Sequence, residues 1–114
     1  RAAAGAPAGP LEVGPDARWV LIPGRGRIDL ARRRSTRLVL LALTRARLST
    51  PGKGLDGETL IESAWPGERM LHHAGLARVY TTIRALRALG LGDGLLTRDD
   101  GYLLDPDLVV RLMP

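Results

Sequence analysis

The apolar positions change period along the chain. Over residues 11–30 they alternate with polar ones in short runs: Leu11-Glu12-Val13, then residues 18–22 (RWVLI), then 27–30 (RIDL). Gly14-Pro15-Asp16 and Pro23-Gly24 separate these runs, which predicts three short strands joined by turns. Strands this short form a small antiparallel sheet that is stable only when packed on something else. Over residues 32–48 the spacing becomes helical. Leu38, Leu41, Ala42 and the stem of Arg45 fall at i, i+3, i+4 and i+7, and Leu40 and Leu43 widen that face as in a central core helix. Residues 49–54 close it with a loop. Asp56 offers an N-cap and Glu58 sits in the positive first turn of a second helix. Its apolar face is Leu60, Ile61, Ala64 and Trp65, and Pro66-Gly67 stops it. Residues 66–74 read as a loop. A third helix is predicted over about residues 75–89, with Leu76, Val79, Ile83 and Leu86 inward and Gly90 as its terminator. Residues 95–97 and 102–104 then flank Arg98-Asp99-Asp100-Gly101, a hairpin whose turn uses Gly101 at positive φ. Residues 107–114 read as a trailing edge.

The order sheet, helix, helix, helix, hairpin describes an α+β fold, a winged helix-turn-helix over residues 11–114. Residues 1–10 (RAAAGAPAGP) have nothing with which to build a core and read as a disordered linker or tail. The chain starts at Arg1 without a signal-peptide pattern, so a fragment of a longer intracellular, cytoplasmic protein is expected.

Composition narrows the chemistry. The 114 residues are 45% hydrophobic, enough for one small core. The longest apolar run, residues 38–43, is far short of the roughly 20 residues a membrane-spanning helix needs. Cysteine is absent, which excludes disulfides and thiolate metal sites. The net charge is +5 and unevenly spread: residues 18–47 hold nine arginines against one acid, Asp29. Such a block points to an anionic partner, or more blandly to a solvated face.

Other candidate sites read as structure. Residues 23–27 (PGRGR) lack the Lys-Ser/Thr ending of a phosphate cradle and read as a hairpin turn. Ser35, Ser49 and Ser63 have no His and acid in a recognisable pattern, so an enzyme is not expected. His72 and His73 are adjacent, which on a helix points them about 100° apart, and no other His completes a metal site. No cofactor, metal or small-molecule substrate is therefore expected. Trp19 and Trp65 read as core plugs, and Tyr102 as a wing anchor with its hydroxyl at the surface.

The segment Arg78-Val79-Tyr80-Thr81-Thr82-Ile83-Arg84-Ala85-Leu86-Arg87 resembles the recognition helix of OmpR/PhoB-type winged-helix domains, R-x-V-D-x-x-I-x-x-L-R-x-x-L. Residues 97–104 (TRDDGYLL) resemble their wing, T-x-R-G-x-G-Y-x-L, and residues 55–65 resemble their second helix, with its capping residue and terminal Trp. The resemblance covers about residues 11–106. It implies the output domain of a bacterial-type transcriptional regulator, with the third helix in the major groove of double-stranded DNA and the wing at the adjacent minor groove. It implies DNA contacts from Arg78, Thr81, Thr82 and Arg84, a backbone or acidic-partner contact from Arg87, and a minor-groove contact from Arg98. The loop over 66–73 would meet RNA polymerase or a second copy of the domain. The chain departs from the family at Arg32-Arg33-Arg34-Ser35, where Thr, Pro and Glu usually stand, in lacking Phe altogether, and in carrying Asp99 and Asp100 in the wing. Two carboxylates close to phosphates would oppose binding by roughly 1 kcal/mol each. The alternative those departures favour is a winged helix used as a protein-interaction module within a larger signalling or ATPase protein. The two readings divide on whether the arginine block shares a surface with the third helix.

Overall fold

The computed structural model describes residues 9–114; residues 1–8, and with them most of the predicted linker, lie outside the described residues. The fold is α+β: a short N-terminal sheet, three α-helices and a C-terminal hairpin, a winged-helix-like topology. Strands β1 (Leu11–Val13), β2 (Trp19–Ile22) and β3 (Gly26–Asp29) pair antiparallel, with Glu12 opposite Leu21 and Trp19 opposite Asp29. Pro23-Gly24 makes the tight β2–β3 turn: Gly24 has φ 83° and Arg25 N donates to Ile22 O at 2.9 Å.

The predicted trailing edge is a strand. β6 (Val110–Leu112) lies parallel to β1, giving a four-stranded order β3-β2-β1-β6. Leu11 N donates to Val109 O and Met113 N to Val13 O, both at 2.8 Å, so the pairing extends past both ends of β6. A parallel partner has no connecting turn to announce it, because the whole domain is the crossover.

Helix α1 (Arg34–Ser49) is central, touching both other helices, β5 and β6. Its buried residues are Thr36, Val39, Leu40, Leu41, Leu43 and Thr44. The face is turned relative to the predicted one. Arg45 is exposed, whereas Arg47, two residues on, is half-buried. Arg47 donates to three backbone carbonyls of the segment after the hairpin, Asp105 O at 3.3 Å, Pro106 O at 2.8 Å and Leu108 O at 2.6 Å. That clasp brings residues 105–108 back toward the sheet and sets up β6. The Thr44 hydroxyl avoids a buried orphan by donating to Leu40 O at 2.7 Å.

Helix α2 (Gly57–Ala64) starts as predicted. Asp56 caps it, accepting from Thr59 N at 2.8 Å, and those hydrogen bonds hold its carboxyl below the usual range. Helix α3 (His72–Leu86) starts about one turn before its predicted position, so His72 and His73 form its first turn rather than a loop. It ends at Leu86 in a widened turn, Arg87–Leu91, where Gly90 adopts φ 133°. The inward residues are Gly75, Val79, Thr82, Ile83 and Leu86. Leu76 is 37% exposed instead of inward. Gly75 takes the inward position, where a Cβ would press on the side-chain ends of Ile61 and Met70, and Leu76 rests on the flank of Gly57.

Strands β4 (Leu95–Arg98) and β5 (Gly101–Leu104) form the hairpin. Tyr102 exchanges both backbone hydrogen bonds with Leu55, at 2.8 and 2.9 Å, which ties the hairpin to the α1–α2 loop. No described helix is long and apolar enough to cross a membrane.

Candidate nucleic-acid interface

In α3 the buried stripe lies at Gly75, Val79, Thr82, Ile83 and Leu86, so the opposite side is exposed along most of its length. Arg78, Thr81 and Arg84 stand on exposed positions. Thr82 does not. It is 7% exposed and its hydroxyl donates to Arg78 O at 2.9 Å, which removes it from the set of side chains available to an outside partner. The predicted helical face was one position too wide at that point. An i, i+4 hydroxyl bond to the backbone let a threonine pass for an outward polar residue.

Arg78 and Arg84 are pre-positioned differently. The Arg78 guanidinium donates to Glu68 at 2.8 Å and lies 5.7 Å from the centroid of the half-buried Trp65 ring. Glu68 belongs to the α2–α3 loop, so this exposed pair ties the loop to the helix and offsets part of the charge Arg78 presents. Arg84 has no carboxylate partner among the described residues; it lies 5.8 Å from the Tyr80 ring, one turn earlier. Its five donors stay available in a planar fork.

Arg87 has a different task. Its Nε and Nη2 donate to Leu95 O at 3.0 and 2.7 Å, and Nη2 also donates to Thr97 Oγ1 at 2.9 Å. The guanidinium clamps strand β4 to the end of α3. It fixes where the wing stands relative to the helix and has little left to offer a partner.

At the wing tip Arg98 is exposed. Asp99 and Asp100 are not equivalent. Asp100 turns back and accepts from Gly54 N at 2.8 Å, so its carboxylate serves the α1–α2 loop. Asp99 alone remains as an exposed carboxylate without a hydrogen-bond partner among the described residues.

The arginine block of residues 18–47 does not form a single solvated run. Arg47 is spent on the carbonyls after the hairpin, Arg37 donates to Asp16 O at 3.1 Å, and Arg27 stacks on Trp19. Asp16 and Ala17 both hold positive φ, 54° and 57°, a rare conformation for residues with a side chain, and the Arg37 bond braces that turn. Trp19 is half-buried on the outer face of the sheet and is no core plug; Trp65 does pack against the core. His72 lies 3.6 Å from Glu58, and no cluster of potential metal ligands occurs among the described residues. Three apolar side chains around α3 are exposed: Leu71 (70%), which the sequence placed in a loop, Leu76, which it turned inward, and Tyr80 (54%), which it set between core and groove. The signal was present in the two leucines flanking the His pair, but the predicted helix start hid it.

No family model, curated protein or solved structure matches this chain.

Proposed function

We propose that this chain is a DNA-binding domain of the OmpR/PhoB kind, the cytoplasmic output module of a transcriptional regulator. In this reading α3 enters the major groove of double-stranded DNA and the β4–β5 wing meets the adjacent minor groove. The observation that carries it is the Arg87 clamp. A guanidinium bonded to both Leu95 and Thr97 sets a β-finger bearing the free Arg98 beside a helix whose open side bears Arg78, Thr81 and Arg84. Arg84 is the base-reading candidate, since a free guanidinium matches guanine O6 and N7. Arg78 and Arg98 suit phosphates and the minor groove. The inward turn of Asp100 supports the reading further, because it takes one of the two wing carboxylates away from the phosphates. The loop before α3 is left to meet RNA polymerase or a second copy of the domain.

The test is binding to random duplexes across a salt series, followed by selection of preferred sites. Affinity is expected to fall steeply as salt rises, because each neutralised phosphate releases counterions. Binding no stronger than that of an unstructured peptide of equal charge overturns the reading. A second reading, a winged helix that docks on a protein, is favoured by two observations: the exposed Leu71, Leu76 and Tyr80 just before and along α3, and the Trp19–Arg27 stack on the sheet face turned away from the helices. Retained specific DNA binding in Leu76→Ser counts against it.

A further inference from the structure

The sheet ends at β3, and among the described residues no strand pairs with its outer edge. Leu30 N donates to Arg18 O at 2.7 Å, which makes Arg18 and Leu30 a hydrogen-bonded pair. In an antiparallel ladder such pairs alternate. Val20–Ile28 and Ile22–Gly26 are then bonded pairs, and Arg27 and Asp29 direct their N–H and C=O groups away from β2. The free edge thus offers two donors and two acceptors at i, i+2 spacing.

Beside that edge stands a cationic platform. The Trp19 ring lies flat on Gly14, where a Cβ would collide with it, and the Arg27 guanidinium stacks 4.0 Å from the ring centroid. Arg18, Trp19, Arg27, Asp29 and Ala31 line an open cleft of about 440 Å³. Asp29 is already committed, accepting from Ala31 N at 2.8 Å. Arg25 lies exposed before one end of the strand and Arg32, Arg33 and Arg34 after the other. None of these six arginines is in an ion pair among the described residues.

We propose that the β3 edge and the Trp19–Arg27 stack bind an extended acidic segment of a partner protein, which joins the sheet as an added strand. A peptide strand matches the backbone edge group for group, which a phosphodiester chain does not. On that strand an acidic residue opposite Arg27 meets a guanidinium stacked on Trp19, with Arg18 lining the same cleft; the next position on that face lies opposite Asp29, so Arg27 is the main charge contact. Val20 and Ile22 turn inward to the core, so the platform faces away from the helices and the segment does not compete for α3. The inference does not rest on DNA binding.

The test is a titration of the ¹⁵N-labelled chain with the synthetic peptide Glu-Val-Glu-Val-Glu-Val, followed by amide and indole N–H shifts. Saturable shifts are expected at residues 26–31, at Arg18 and at the Trp19 indole. They are expected to weaken at least tenfold in Arg18→Glu/Arg27→Glu and to vanish with the Lys-Val peptide of equal length, a control that needs no folded variant. Absence of shifts up to about 1 mM peptide overturns the proposal and leaves the arginines as guards against strand addition. Equal shifts with the Lys-Val peptide overturn it as well. So does a DNA duplex that perturbs these residues when the acidic peptide does not, which assigns the platform to nucleic acid.

Discussion

Arginine supplies almost all the positive charge of this protein, and the same side chain does at least three different jobs. Arg47 and Arg87 donate into backbone carbonyls and act as internal braces. Arg27 lies on an indole ring. Arg84 keeps its fork free. On the DNA-binding function proposed above, substituting Arg84 by Ala is expected to cost about 1–3 kcal/mol on a preferred duplex and much less on a random one, measured by competition binding. Uniform weakening on every duplex assigns it to phosphate instead. Asp56 makes a residue-scale prediction of a different kind. Its carboxyl is lowered by the Thr59 backbone and side-chain hydrogen bonds, so the folded state favours the ionised form. That contribution is present above the ordinary carboxylate value of 3.8 and is lost as pH falls through the lowered value. Asp56→Asn keeps a capping oxygen and removes the titration. Its acid-unfolding curve is expected to be shallower than that of the parent below about pH 4, followed by circular dichroism.

At the scale of elements, the wing depends on one glycine. Gly101 has φ 129°, and a Cβ there would run into the Leu55 carbonyl, the group that accepts from Tyr102 N. Gly101→Ala is expected to destabilise the domain by about 1–3 kcal/mol and to loosen the hairpin first, seen as early hydrogen exchange at Leu55 and Tyr102. This glycine was legible in the sequence, because a turn of two aspartates needs a residue tolerant of positive φ nearby. So was the α2 cap, because Asp56 precedes an apolar face of the right period. The start of α3 was not legible. His72 and His73 carry no cap and no apolar period, and the inward side of that turn is marked only by Gly75 against Ile61 and Met70, a contact between elements that local pattern does not announce. The task of Arg87 was equally hidden, since its partners lie eight and ten residues onward on another element. On the helix surface, Arg78, Thr81 and Arg84 were read correctly as outward, while Thr82 was hidden by its own bond to Arg78 O.

Across the whole molecule, the sheet and the helices are joined by long-range braces rather than by one continuous core alone. Arg47 is the principal one, spanning from α1 to residues 105–108. Arg47→Ala leaves those carbonyls without their donor and is expected to cost about 1.5–3 kcal/mol, read from chemical denaturation. The loss should fall mainly on β6, so amides of residues 110–113 should exchange faster before those of α1. None of this was available from local pattern, because the parallel strand pairs with residues 99 positions away and its brace spans 58 to 61. The same pairing has a mechanical meaning. Because β1 and β6 run side by side in one direction, tension drawn through Leu11 at one end and Leu112 at the other slides the two strands lengthwise. All the bonds between them then carry the load together instead of opening one after another, so a pull through the chain meets the domain along its stiffest direction.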